Sequence, residues 1–258
     1  MKVTLGNYVP LDSLVHRLDP RAKLFLMGLG IGAAFQLDTA GGLALFLLMC
    51  TAVTVSARIP GRMLLSGLIP FLWLFGFTAV LHLFMTAGDP IAWLPHATWQ
   101  GLTGGLRVGT QLVFAIWLST LTTLTTSPLN LVWALEWFMK PLKYLKVPTE
   151  DIALLVMLAI RFIPTLFEET ERIIKAQKAR GVDLESGGLI ARVRALVPVL
   201  VPLLHGVFRR ADDLAIALTL RGYAPGIVRT RMKELRACPS DLVSVCLGSL
   251  VLVSMMWL

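Results

Sequence analysis

Five uninterrupted apolar stretches divide this chain: Leu24–Leu37, Leu43–Ala57, Leu64–Thr86, Leu106–Thr123 and Leu242–Leu258. A helix needs about 20 apolar residues, at 1.5 Å each, to cross roughly 30 Å of hydrocarbon. The third stretch meets this and the last two nearly do. The first two, at about 21–23 Å each, are short. Apolar residues make up 56% of the chain and charged residues 16%, against roughly 45–50% and about 25% in soluble domains. That surplus excludes a disordered chain, a secreted disulfide scaffold and an ordinary cytosolic enzyme. The remaining question is where the net charge of +8 resides.

Loop charge orders the passes. Lys2, Arg17, Arg21 and Lys23 precede the first stretch, and Arg58 and Arg62 follow the second. The connector 36–42 has no Lys or Arg. A single pass over 24–57 would strand one basic cluster outside, whereas a hairpin of two short passes keeps both inside. The connector 86–105 again has no Lys or Arg and carries Trp93 and Trp99 as interfacial anchors. Arg107 sits at the outer end of the fourth pass, where it can snorkel. On this count 23 of the 24 basic residues face the cytoplasm, as does the N-terminus, in a cell membrane. The leader 1–23 is too long and too acidic for the basic region of a cleavable signal. Cys50, Cys238 and Cys246 show no paired spacing and read as inert thiols.

The expected fold is all-α, a polytopic membrane protein with about five transmembrane helices and a cytoplasmic helical region. Residues 1–126 form the membrane part with four passes, 127–238 the cytoplasmic part and 239–258 the last pass. Residues 127–238 hold 17 Lys+Arg and 11 Asp+Glu, yet keep apolar residues at helical spacing. A short amphipathic helix is expected over Leu129–Lys140. Thr149 reads as an N-cap, with Glu150 and Asp151 in the first turn. From there a helix runs to Arg180, about 45 Å if continuous, with a kink expected at Pro164. Arg161 interrupts its apolar first half and is expected to pair with Glu136 or Asp151 or to reach headgroups. A further helix begins after Gly187-Gly188, contains Pro198 and Pro202, and leads to another near Val207–Arg221. A basic tail, Arg229–Arg236, returns to the membrane.

Two of these helices end alike, in Ala179-Arg180-Gly181 and Leu220-Arg221-Gly222. Glycine takes the left-handed position after a helix and arginine complements the negative end of the dipole. One such end is only a cap. A pair, 41 residues apart, presents two guanidinium groups whose planar forks suit carboxylates on another protein.

Four segments give the chain a family resemblance: the leader Asp12-Ser13-Leu14-Val15-His16-Arg17-Leu18-Asp19-Pro20-Arg21-Ala22-Lys23; Arg161-Phe162-Ile163-Pro164; Gln177-Lys178-Ala179-Arg180-Gly181-Val182-Asp183; and Arg209-Arg210-Ala211-Asp212-Asp213-Leu214-Ala215, running on to Arg221-Gly222-Tyr223. In that order they resemble the T component, the transmembrane coupling subunit, of energy-coupling factor (ECF) importers. The second tip departs from the family's Ala-Arg-Gly in having Leu220, which bears on tip packing more than on Arg221. The resemblance implies a non-catalytic subunit whose Arg180 and Arg221 tips dock into two ATP-binding-cassette ATPases. It also implies a separate membrane S component that captures a vitamin or transition metal ion and rests on apolar faces of the coupling helices. Arg161 and Pro164 then play a supporting part, and no cofactor is expected.

The residues agree independently. No G-x-x-x-x-G-K-[ST] phosphate loop occurs, so this chain needs a partner to hydrolyse ATP. Gly28, Gly30 and Gly32 lie in an apolar helix with no preceding strand and read as helix packing. Asp12, His16 and Asp19 are spaced like a weak metal site, but capping by Asp12 or Ser13 and a helix start at Asp19-Pro20 explain them better. His82 reads as neutral and hydrogen-bonded between helices. Ser119, Thr120, Thr122, Thr123, Thr125 and Thr126 read as a packing device or a cavity lining, not a nucleophile. The basic tail lacks the interleaved aromatics of a nucleic-acid surface, and lipid headgroups suit it better. The competing reading is an intramembrane lipid or prenyl transferase. It needs clustered acids for a divalent ion, and Asp212-Asp213 is the only adjacent Asp pair.

Overall fold

The computed structural model describes residues 8–37, 39–91, 94–183, 188–224 and 239–256. Lys2, Trp93, Cys238 and the Arg229–Arg236 tail lie outside the described residues. The chain divides into two compact units. One comprises residues 6–137 and 233–258, and the other centres on 138–232.

In the first unit the order is α1 Leu14–Arg17, α2 Pro20–Gln36, α3 Ala40–Ser56, α4 Gly61–Leu68, a 3-10 turn Ile69–Phe71, α5 Leu72–Met85, β1 Pro90–Ile91, β2 Leu94–Thr98, α6 Trp99–Thr125, α7 Pro128–Met139 and, after the second unit, α10 Pro239–Met256. Among the described residues the fold is all-α apart from one antiparallel hairpin, β1 with β2, in the connector before α6. The stretch 24–57 is a hairpin of two helices, α2 and α3, of 17 residues each. Gly61–Met85 and Trp99–Thr125 are each long and apolar enough to cross a membrane. The first is interrupted at Pro70, which has no N–H to give the preceding turn and clashes with it.

Helix α6 is the centre of this unit. It starts seven residues earlier than its apolar run, because Thr98 caps it through a bond from the Gly101 N–H at 3.0 Å. Ala33, Ala34, Leu37, Phe46, Cys50, Phe114 and Leu252 bring α2, α3, α6 and α10 into one core. Buried Gln111 donates to Leu37 O at 3.1 Å, satisfying a carbonyl at the end of α2. Trp117 Nε1 donates to Thr54 Oγ1 at 3.0 Å.

Helices α5 and α6 come close together over Gly101 and Gly105, a G-x-x-x-G spacing. A Cβ at Gly101 would lie 2.4 Å from His82 O, and one at Gly105 would lie 3.2 Å from Ala79 Cα. Of Gly28, Gly30 and Gly32, only Gly30 meets a neighbour, Leu118, at 2.8 Å. The His82 ring bonds within its own helix, Nδ1 to Thr78 O at 3.1 Å, rather than between helices.

The leader is tied to the same ends. Ser13 caps α1 and Asp19 caps α2, while Asp12 lies 3.9 Å from the Arg17 guanidinium. His16 Nε2 donates to Val9 O at 3.1 Å, leaving Nδ1 to accept from Ser13 Oγ at 2.7 Å. Burial lowers the His16 pKa from its ordinary value, with the Val9 carbonyl opposing. Lys23, one residue ahead of the first apolar run, is buried. Its ammonium donates to Thr125 O at 3.0 Å and His16 O at 3.2 Å. The Asp19 N–H donates to Asp241 Oδ1 in the first turn of α10 at 3.1 Å. At the hydroxyl-rich end of α6, Thr122, Thr125 and Thr126 are buried, while Ser119 and Thr123 are exposed.

The second unit consists of a 3-10 segment Lys140–Leu145, α8 Thr149–Ala179 and α9 Leu189–Leu220. Two expectations are corrected here. Pro148, not Thr149, is the N-cap of α8, and the buried Thr149 hydroxyl has no hydrogen-bond partner among the described residues. The region 189–220 is one helix of 32 residues, not two, and runs through both Pro198 and Pro202.

Candidate functional site: two arginine-tipped helices

Helices α8 and α9 run antiparallel. Near the start of α8, Asp151 Oδ1 accepts from Tyr223 Oη, just past the end of α9, at 3.1 Å. In the middle, Glu169 pairs with Arg210 at 2.8 Å. A Cβ at Gly206 would come within 2.8 Å of the same carboxylate, so glycine permits the approach. Near the end of α8, buried Gln177 donates from Nε2 to Pro198 O at 3.1 Å. From Asp151 to Gln177 the pair spans about 39 Å at 1.5 Å per residue.

The Gln177 contact explains how α9 survives its prolines. Pro202 has no N–H, so the carbonyl four residues earlier, Pro198 O, loses its helical donor. Gln177 on α8 supplies one. A local defect in one helix thus becomes a link to the other.

Both tips close in the same way. At the first, Arg180 is the C-cap and Gly181 has φ +85°. The Gly181 N–H donates to Lys178 O at 3.0 Å and the Val182 N–H to Gln177 O at 3.1 Å. At the second, Arg221 is the C-cap and Gly222 has φ +76°. The Gly222 N–H donates to Thr219 O and the Tyr223 N–H to Leu218 O, each at 2.9 Å. These are two copies of the Schellman motif. The left-handed position excludes most side chains and explains the glycines.

Ala179, Arg180, Gly181, Leu220, Arg221 and Gly222 are all exposed. Leu220, at 83% exposure, leaves the second tip's backbone the same as the first. Because the helices are antiparallel, the tips stand at opposite ends of the pair. Arg161 is exposed on α8, and the helix continues through Pro164 without interruption. Gln177 and Tyr223 escaped the sequence reading, though both stand beside the tips within the motif segments. Asp212 and Asp213 are exposed on α9.

Relatives place this architecture. A family model described as "Cobalt transport protein" matches residues 12–233. The energy-coupling factor transporter transmembrane protein EcfT of Heliobacterium modesticaldum is 44% identical over 99% of this chain and 97% of its own. The protein of the same name from Bacillus subtilis is 41% identical over 98% of this chain and 96% of its own. The chain belongs to the ECF transporter T-component family. It is a transmembrane component of a transporter, and the helix pair with its two arginine tips lies within the matched region.

Proposed function

We propose that the chain is the non-catalytic coupling subunit of an ECF-type ATP-driven importer. In this reading Arg180 and Arg221 each engage one of two ATP-binding-cassette ATPases, and α8 and α9 act as levers on a membrane S component that carries the cargo. The observation that carries the reading is the duplicated arginine tip at opposite ends of one antiparallel pair. Two separate ATPases closing on ATP need two separated contacts, and a rigid pair converts their relative motion into tilt. Residues 127–238 are then the cytoplasmic coupling region, and the N-terminus is cytoplasmic. An apolar stripe on α9, including Ile190, Val193, Val197, Leu200, Leu204 and Phe208, is exposed and repeats every three or four residues. It suits an S component. The cargo class is a vitamin or a transition metal ion, in line with the family's description.

The test is substitution of Arg180→Gln, Arg221→Gln and both, followed by co-purification with the ATPases and ATP-driven uptake in proteoliposomes. Each single variant is expected to weaken assembly or uptake and the double variant to abolish uptake. Intact assembly and uptake in the double variant would overturn the reading.

A further inference from the structure

Between α7 and α8 the chain makes a short projection that the coupling role leaves unused. Residues 140–146 read Lys-Pro-Leu-Lys-Tyr-Leu-Lys, and all seven are exposed. Tyr144 is 93% and Leu145 75% exposed. The 3-10 form of Lys140–Leu145 has three residues per turn, so residues three apart share an edge. Lys140 and Lys143 form one edge, Pro141 and Tyr144 the second, and Leu142 and Leu145 the third. Lys146 adds another ammonium at the C-cap, in the left-handed conformation with φ 60°. Lys143 pairs with Glu150 at the start of α8. Lys140 and Lys146 make no ion pair among the described residues.

We propose that this projection docks into the headgroup layer of an anionic phospholipid membrane. Its chemistry matches the boundary of a bilayer. Two apolar edges enter the acyl margin, Tyr144 sits at headgroup depth, and lysine ammonium groups meet phosphate while their stems lie along the apolar edge. A protein partner fits less well, since a stable protein interface needs roughly 800 Å² on each side and a two-turn projection presents far less. Loop charge supports the assignment, because the basic segments are expected on the cytoplasmic side, where anionic lipid is attractive. The projection also follows α6 and α7 directly in sequence. The proposal rests on membrane residence and on the cytoplasmic placement of residues 127–238, and does not depend on ATPase docking.

The test uses the full chain with Cys50, Cys238 and Cys246 replaced by serine and Leu145→Cys labelled with an environment-sensitive nitrobenzoxadiazole dye. Nanodiscs are made of phosphatidylcholine, with or without phosphatidylglycerol, and include lipids spin-labelled at a shallow acyl position. The expected result is a blue-shifted emission quenched by the shallow label, both effects increasing with phosphatidylglycerol. Lys140→Gln with Lys146→Gln should lower the docked-to-free ratio by about fivefold per lysine. Both lysines are exposed, so these changes spare the fold, and an unchanged melting temperature verifies this. A dye that stays water-exposed in both lipids overturns the proposal. A dye that is protected but neither quenched nor lipid-sensitive also overturns it and indicates a protein contact.

Discussion

The link from Gln177 to Pro198 O gives a sharp quantitative expectation. Replacing Gln177 with Met keeps the length of the side chain but removes the donor. The carbonyl that Pro202 has already orphaned then loses its remaining partner at 3.1 Å. Leaving a buried acceptor unsatisfied costs about 1–3 kcal/mol. Because the site is partly buried, about 1–2 kcal/mol is the expected range. Pro202→Ala supplies the decisive comparison, since the new N–H at 202 lies four residues after Pro198 and restores the helical donor. In that background Gln177→Met should cost little. The double-mutant cycle should therefore show a coupling of about 1 kcal/mol or more. Equilibrium unfolding of the purified chain in detergent, with hydrogen exchange following the amides after Pro198, measures all four corners. Strictly additive effects would refute the argument that α8 repairs a proline defect in α9.

Other expectations follow from the same geometry. Gly181→Ala meets no atom within 4 Å of the new Cβ, so its cost is backbone strain alone, about 1–2 kcal/mol. The exchange protection of the Val182 amide should fall accordingly, and Gly181→Asn should fall less, because asparagine tolerates that conformation. Gly101→Ala places a Cβ 2.4 Å from His82 O, a crowding that should destabilise by about 1–3 kcal/mol in thermal unfolding. Gly109→Ala, on the same helix with open space around it, serves as the unaffected control. Lys23→Met removes the donor to Thr125 O and His16 O and should loosen the leader, read as faster proteolysis near residue 14. His16 has a lowered pKa in the folded chain, so its contribution is present above the ordinary value of 6.5 and is lost as pH falls. Leader protection should weaken on acidification, and His16→Gln should flatten that dependence.

The local signals were legible in sequence because their causes are local. Apolar runs marked Gly61–Met85 and Trp99–Thr125, which are long and apolar enough to cross a membrane, and glycine after arginine marked where α8 and α9 stop. A left-handed residue is needed there whatever the rest of the chain does. The Asp19-Pro20 start of α2 was legible for the same reason. Thr149 misled because its place beside two acids resembles a cap, yet the helix takes Pro148 as cap and buries the hydroxyl.

Only the tertiary structure could decide what depends on a distant donor or neighbour. Sequence placed Pro198 and Pro202 in one helix and expected another near Val207–Arg221, but α9 is a single helix, and Gln177, 21 residues before Pro198, donates to the carbonyl that Pro202 leaves without a helical donor. Gly101 and Gly105 gained meaning once α5 lay against them. Leu220 and Ala179 differ in sequence while the backbones they precede are alike, since the cap is set by glycine conformation. Sequence determined that there are two arginine tips. The antiparallel packing of α8 on α9, held by Asp151–Tyr223, Glu169–Arg210 and Gln177–Pro198, put them at opposite ends.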